Sequence, residues 1–134
     1  MASQDRLTLE ETLATFDEHL RRTRGLGAGT RRNYARFVRR FLVAVFDDGP
    51  VEVGEIAARD VVGFVAGLTR RWRPRTVEGA ATALRSFFRF LRAAGLRADR
   101  LDDVVPMVPH RPTGLVRHLG TVRRFARLLS VAEG

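Results

Sequence analysis

Apolar residues recur at steps of three and four in several stretches of the chain, the spacing that places them on one side of an α-helix. The clearest stretch lies between Pro74 and Gly95, where the apolar stripe consists of Val77, Ala81, Leu84, Phe88 and Leu91. Proline is favoured in the first turn of a helix, and glycine is favoured just past its last residue. The pattern therefore predicts a helix here, with a buried stripe and with small or cationic side chains on the opposite side.

Three other helical patterns precede this one. Thr8 and Glu11 have the spacing of a capping box and predict a first helix over residues 8–24. A second helix is expected from Thr30, as its N-cap, to about residue 46, and a third from Asp60, as its N-cap, to about residue 70. Gly63 and Gly67 lie four residues apart in the third helix, which suggests close packing against another helix.

The chain after Gly95 is less regularly patterned. Residues 96–105 predict a short helical turn, and the prolines at 106, 109 and 112 indicate an extended linker. Thr121 can cap a last helix that reaches about residue 132. We therefore expect a helical domain over 1–105, a linker over 106–118 and a C-terminal helix over 119–134. No stretch alternates as a strand does, so the expected fold class is all-α, a compact four- to five-helix bundle.

The composition excludes several kinds of site. A chain of 134 residues is long enough to bury one hydrophobic core. It contains no cysteine, and its three histidines lack the spacing of metal ligands, so no metal, cofactor or small-molecule ligand is expected. No apolar run is long enough to cross a membrane, and the N-terminus is too polar for a secretory signal, which predicts a soluble, cytoplasmic protein.

The charge pattern suggests a polyanion as partner. The formal net charge is +9, and all 24 of the lysine and arginine residues are arginine. Arginine forks suit phosphates and guanine edges, but the codon usage of a GC-rich genome explains the missing lysine equally well. The distribution is more informative, because residues 21–46 carry +8 and residues 70–100 carry +7, whereas residues 47–60 carry −4. Two basic helical segments that alternate with an acidic connection predict a molecule with one basic face.

Two details of the basic segments point the same way. The second helix carries arginines on the arc opposite its apolar residues and carries no acid, so like charges on it repel by a few tenths of a kcal/mol per pair. A bound polyanion explains this arc better than solvation does. Trp72 lies in the dense basic stretch from Arg70 to Arg75. It could stack on an arginine or a sugar, but a cover for the core is the preferred interpretation.

Several of these residues together resemble a known family. Thr30 and Tyr34 lie four apart, an Asp-Val-x-x-Phe pattern begins at Asp60, and Leu-Arg-Ser-Phe-Phe-Arg-Phe-Leu occupies 84–91, before Gly95. In this order they resemble the N-terminal core-binding, SAM-like domain of tyrosine recombinases and phage integrases, over about residues 8–112. The resemblance implies a helical bundle that clamps one side of a recombination site and turns its second and fourth helices towards the major groove of double-stranded DNA.

The resemblance also implies which residues meet the DNA. On the second helix these are Thr30, Arg32, Asn33, Arg36 and Arg39, with Arg40 on the same arc. On the fourth helix they are Arg75, Thr76, Gly79, Thr82, Ser86 and Arg89, with Arg73 just before it. Arginine would read guanine or bind phosphate, whereas threonine, serine and backbone amides would mostly position phosphates.

The chain departs from the family in one important respect. The family's catalytic domain contributes an arginine, a lysine, a His-x-x-Arg motif and a tyrosine nucleophile, and none of these can be placed here, because the one tyrosine, Tyr34, lies on an apolar stripe. The adjacent acids, Asp47-Asp48 and Asp102-Asp103, fit capping and solvation better than acid–base catalysis. We therefore expect DNA binding without strand cleavage, by a piece of a longer recombinase or a standalone remnant, with other recombinase protomers as further partners.

A function of another class is the alternative. The last helix has an apolar face of Val122, Phe125, Leu128 and Leu129, which would suit a helical protein-interaction module or a regulator of a recombinase. The same helix carries Arg123 and Arg124 where the family usually has acids, so the resemblance weakens from residue 113 onwards.

Overall fold

The computed structural model describes residues 7–107 of the chain. In this part the helices are α1, Leu9–His19; α2, Ala28–Phe46; α3, Ala58–Arg71; and α4, Pro74–Ala93. The expected all-α bundle is confirmed, and the described residues add an isolated antiparallel bridge between Leu7 and Val51. The linker beyond Met107 and the predicted C-terminal helix lie outside the described residues.

The first helix begins where the sequence predicts. The Thr8 hydroxyl accepts a hydrogen bond from the Glu11 amide at 3.0 Å, and the Glu11 carboxylate accepts one from the Thr8 amide at 2.9 Å. The two bonds satisfy amides that a helix start leaves free. The helical path continues beyond α1 as a π-helical turn, Leu20–Arg24, and stops at Gly25, whose φ of 62° a residue with a side chain rarely adopts.

The predicted N-caps of the next two helices are wrong by three residues. The N-cap of α2 is Gly27 rather than Thr30, which lies inside the first turn. The N-cap of α3 is Ala57, and the Asp60 carboxylate reaches back to accept from the Ala57 amide at 2.8 Å. A short polar residue three places into a helix can serve the free amides from inside, so the sequence alone does not distinguish the two positions.

The fourth helix is surrounded by the rest of the domain. It contacts α1, α2, α3 and a 3₁₀ turn at Leu101–Asp103, which is the short turn predicted after Gly95. Phenylalanine rings meet edge to face across it, Phe16 to Phe87 at 5.3 Å and Phe41 to Phe88 at 5.8 Å between centroids. Such edge-to-face pairs add to the free energy gained from burying the rings. The core of the domain therefore lies around α4.

Both ends of α4 agree with the prediction. Pro74 is its first residue, and Gly95 follows the C-cap with a φ of 76°. The Leu96 amide donates to the Leu91 carbonyl at 2.9 Å, and the Gly95 amide donates to the Arg92 carbonyl at 3.1 Å. These bonds form the Schellman arrangement, in which a left-handed glycine closes the helix.

Arginines tie the segment after α4 to the bundle. The Asp102 carboxylate, only 5% exposed, accepts from Arg92 at 2.6 Å and lies 3.5 Å from the Arg89 guanidinium. Burial by itself would raise the pKa of Asp102, but the hydrogen bond and charge of Arg92, together with the charge of Arg89, outweigh it and hold that pKa below its ordinary value. Arg85 donates to the Pro106 carbonyl at 2.9 Å, so the chain still lies against α4 where the predicted linker begins.

No helix in the range 7–107 combines the length and the apolar character that a bilayer crossing requires.

We predict that Asp102→Asn lowers the free energy of unfolding by about 1 to 3 kcal/mol at neutral pH, because it removes a charged hydrogen-bond acceptor from a buried position. The lowered pKa means that this contribution is present above the unfolded pKa of about 4 and is lost as pH falls through the folded pKa. Urea unfolding over a pH series measures the difference. Asp103→Asn is the matched control, because that side chain is 66% exposed and should contribute little. Equal effects of the two changes would contradict this account.

Candidate nucleic-acid interface

One edge of the arginine arc on α2 is neutralised by α1. Arg39 donates to both carboxylate oxygens of Glu10, at 2.8 and 3.0 Å, and Arg31 donates to Asp17 at 2.9 Å. Glu10, near the start of α1, pairs with Arg39 in the second half of α2, and Asp17, near the end of α1, pairs with Arg31 in the first turn of α2. The two helices therefore run antiparallel. The hydrogen bond from Arg39 lowers the pKa of Glu10. The sequence interpretation counted only partners within α2 and was wrong to treat Arg39 as lacking an acid.

The other edge of the arc lies over aromatic rings. The guanidinium carbon of Arg40 is 4.7 Å from the centroid of the Trp72 ring, and that of Arg36 is 5.8 Å from the Phe37 ring. The two rings contact each other, with centroids 6.2 Å apart. Trp72 is half-buried against the core and also carries an arginine, so both interpretations offered by the sequence hold.

These side chains line a groove between α2 and the start of α4. Its volume is about 430 Å³, and its walls are Arg36, Phe37, Arg40, Arg71, Trp72, Arg73 and Thr76. A neighbouring hollow of about 380 Å³ shares Arg40, Arg71 and Trp72 and extends along α3 past Gly63 and Gly67. Neither lining includes an acidic residue. A concave surface with cations of one sign concentrates the electrostatic field over it.

The sequence suggested that Gly63 and Gly67 pack closely against another helix, and this prediction is wrong. A β-carbon built on either glycine would meet no atom within 4 Å, other than those of the helix itself. Both residues instead line the hollow beside Trp72. Their lack of side chains keeps that hollow open.

Several arginines around the groove are exposed and have no carboxylate partner within the described residues. We define the basic face as Arg36, Arg40, Arg71 and Arg73, which line the groove, together with Arg32 and Arg75, which lie near the starts of α2 and α4. The first turns of α2 and α4 contain no acid, and neither N-cap makes a side-chain hydrogen bond. The positive ends of both helix dipoles therefore add to the charge of the arginines beside them.

The structure brings together part of the site that the sequence predicts. Arg36, Arg40, Arg73 and Thr76 line the groove. The remaining predicted residues that lie exposed near the starts of α2 and α4 are Thr30, Arg32, Asn33 and Arg75. Asn33 accepts a hydrogen bond from Arg36 at 3.0 Å, which links two members of the predicted set. Thr82, also exposed, lies further along α4.

Other predicted residues are placed differently. Ser86 is a correction, because it is only 5% exposed and belongs to the core that surrounds α4. Arg89 lies beside Asp102 and about 21 Å along the helix axis from Arg75, at 1.5 Å per residue, so it is remote from the groove. Gly79 faces α2, since a β-carbon on it would lie 3.5 Å from the Phe37 ring. This is an ordinary contact distance, so the packing of α2 would accept an alanine here and does not itself require a glycine.

The sequence interpretation left out Phe37, Arg71 and Trp72 as lining residues. Phe37 is buried in the core, and it also forms a wall of the groove. The run Arg71-Trp72-Arg73 was the available signal for the other two. Among residues 7–107, no group of three histidine, cysteine, aspartate or glutamate side chains is arranged to hold a metal ion.

Comparison with known proteins agrees with the helical bundle. The profile of the family described as phage integrase, N-terminal SAM-like domain, matches residues 13–95. A protein named as an integrase/recombinase, y4rA, from Sinorhizobium fredii is 35% identical over 100 residues. The aligned part covers 75% of this chain and 24% of that relative, so the chain spans about a quarter of the relative's length. No solved structure gives a significant match.

We predict that Gly79→Ala raises the free energy of unfolding by up to about 1 kcal/mol, because alanine favours a helix interior and its β-carbon would make an ordinary contact with Phe37. Binding of duplex DNA, the partner expected from the sequence, should stay unchanged. Thermal melting and a duplex titration measure the two effects. A loss of affinity without loss of stability would show that DNA approaches the backbone here, contrary to this account.

Proposed function

The chain belongs to the N-terminal SAM-like domain family of phage integrases, and from this premise we propose that it binds double-stranded DNA at a recombination site and holds it without cleaving it. The observation that carries the proposal is the basic face. Four of its six arginines line a groove whose lining contains no acid, while the acids of α1 neutralise only the opposite edge of the α2 arc. A duplex carries about one negative charge per 1.7 Å of its axis, which such a surface complements.

The groups on this face suit both kinds of DNA contact. The hydroxyl and amide groups of Thr30, Asn33 and Thr76 and the free amides at the starts of α2 and α4 suit phosphate oxygens. The guanidinium groups of Arg36 and Arg40 suit phosphates as well, and as forks they can also bind a guanine edge with about 1 to 3 kcal/mol of discrimination. We propose that the phosphate contacts fix the position of the duplex and that these arginines contribute sequence preference.

Binding without cleavage rests on the residues that are present. The only tyrosine of the sequence, Tyr34, is half-buried and packs against the core from α2, and this packing accounts for the residue without a catalytic role. The family profile that matches is that of the N-terminal domain. We propose that strand cleavage belongs to other parts of a recombinase and that other recombinase protomers are further partners. We propose that a bacterial or phage protein of this kind acts on DNA in the cytoplasm.

The alternative of a protein-interaction module rests on residues 119–134, which lie outside the described residues. It stays a prediction from the sequence, and no feature of α1 to α4 favours it over DNA binding.

We predict that the protein binds short duplexes with an affinity that falls steeply with salt. Six neutralised phosphates give a slope of about −5 in a plot of log affinity against log salt, at 0.9 per phosphate. Arg75→Ala should weaken binding and reduce the slope by about 1, with little change in melting temperature, because Arg75 is exposed and lacks a carboxylate partner among the described residues. Mobility shifts over a salt series measure both quantities.

The control is Arg59→Ala, which removes the same charge from an exposed arginine in the first turn of α3, at the end of that helix away from Arg71. It should leave both affinity and slope nearly unchanged. Absence of any shift by the unaltered protein, or an affinity that does not depend on salt, would refute the proposed function. Equal losses from Arg59→Ala and Arg75→Ala would refute the assignment of the interface.

A further inference from the structure

We propose, on the basis of the proposed function, that Trp72 is a positioning residue for DNA binding, which holds the guanidinium group of Arg40 ready for the duplex. The contact that suggests this role is the stack of Arg40 on the Trp72 ring, at 4.7 Å from the centroid. Arg40 makes no ion pair within the described residues, so the N–H groups at the edge of its guanidinium plane are available to a ligand.

The ring that holds Arg40 is itself held firmly. The Trp72 amide donates to the Leu68 carbonyl at 2.8 Å and thereby closes the end of α3. The backbone of Trp72 then leaves the helix in an extended conformation, two residues before Pro74, whose fixed φ restricts the chain at the start of α4. The indole also packs against Phe37, which is buried in the core. Trp72 therefore has a fixed place between α2, α3 and α4.

The same aromatic pair serves a second arginine. Arg36 lies 5.8 Å from the Phe37 centroid, and Phe37 lies 6.2 Å from Trp72. Arg36 and Arg40 are one helical turn apart, about 6 Å along α2. Phe37 and Trp72 are thus two adjacent rings, each in contact with one of two neighbouring cations. Arg36 and Arg40 both line the groove, and no acid in its lining competes for them.

This arrangement affects affinity because binding immobilises side chains. A free arginine loses much of its rotamer freedom when it contacts DNA, and that loss weakens binding. An arginine already stacked on a ring has lost part of that freedom in the free protein. On this basis the loss of the indole should weaken duplex binding by about three- to tenfold, the range expected from ordering one such side chain.

A merely structural role for Trp72 makes a different prediction. If the indole only covered the core, its replacement would lower the melting temperature, and its effect on the affinity of the folded protein for DNA would be the same whichever residue occupies position 40. The positioning role requires that the effects of changes at positions 72 and 40 are coupled. A double-mutant cycle measures that coupling directly.

The test compares duplex affinity at one salt concentration for the unaltered protein, Trp72→Leu, Arg40→Gln and the double variant, each checked for folding by thermal melting. We expect Trp72→Leu to lose about three- to tenfold in affinity and the double variant to bind no more weakly than Arg40→Gln alone. Trp72→Phe retains a ring, although a less favourable one for a cation, and should lose less than Trp72→Leu.

Arg40→Lys provides a second arm that leaves the core intact. Lysine keeps the charge but lacks the planar group that stacks on the ring, so this variant should lose affinity to a similar extent as Trp72→Leu. Full affinity in either Trp72→Leu or Arg40→Lys would overturn the inference. It would also be overturned if the fold loss of affinity in the double variant equalled the product of the losses in Trp72→Leu and Arg40→Gln. If the unaltered protein fails to bind the duplex, the proposed function itself is wrong, and this is seen before any variant is compared.

Discussion

The burial of α4 is the constraint on which the rest of the structure depends. Helices on several sides and the turn at Leu101–Asp103 pack against it, and its phenylalanine side chains meet those of α1 and α2. Little of α4 is therefore left to face a partner, apart from its first turn and a narrow strip that includes Thr82. Since α2 passes the start of α4 with Phe37 beside Gly79, the available surfaces of the two helices meet at that end. The position of the basic face follows from this packing.

Arginine performs distinct tasks in a chain that has no lysine. Some arginines join elements of the fold: Arg31 and Arg39 connect α2 to α1, Arg92 anchors Asp102, and Arg97 donates to the carbonyls of Val53 and Ile56 at 2.8 and 2.6 Å. Others, on the basic face, have aromatic or open surroundings and no acid. The net charge of a segment cannot separate these groups. An arginine that pairs with an acid from another segment adds the same +1 to its own segment as an unpaired arginine does. Only the positions of the acids on neighbouring helices distinguish them.

The sequence predicts the helices well and the surface less well, for physical reasons that particular residues illustrate. Periodicity and the capping signals at Thr8, Pro74 and Gly95 are local properties, and the structure confirms them. Ser86 lies outside the apolar stripe by helical spacing, but α4 is packed on more than one side, so its buried arc is wider than that stripe and includes this residue. The cationic groove depends on contacts between residues distant in sequence, such as Arg40 and Trp72, which periodicity does not reveal.

The central claim is that one duplex contacts the basic side of α2 and the start of α4 together. The most direct measurement is the change in the NMR shifts of backbone amides and of the tryptophan indole N–H when an isotopically labelled sample is titrated with a short duplex. We expect the largest changes on the first turns of α2 and α4 and on the residues that line the groove, including the indole N–H of Trp72. Changes confined to α1 or to the first turn of α3, with the groove unaffected, would contradict it.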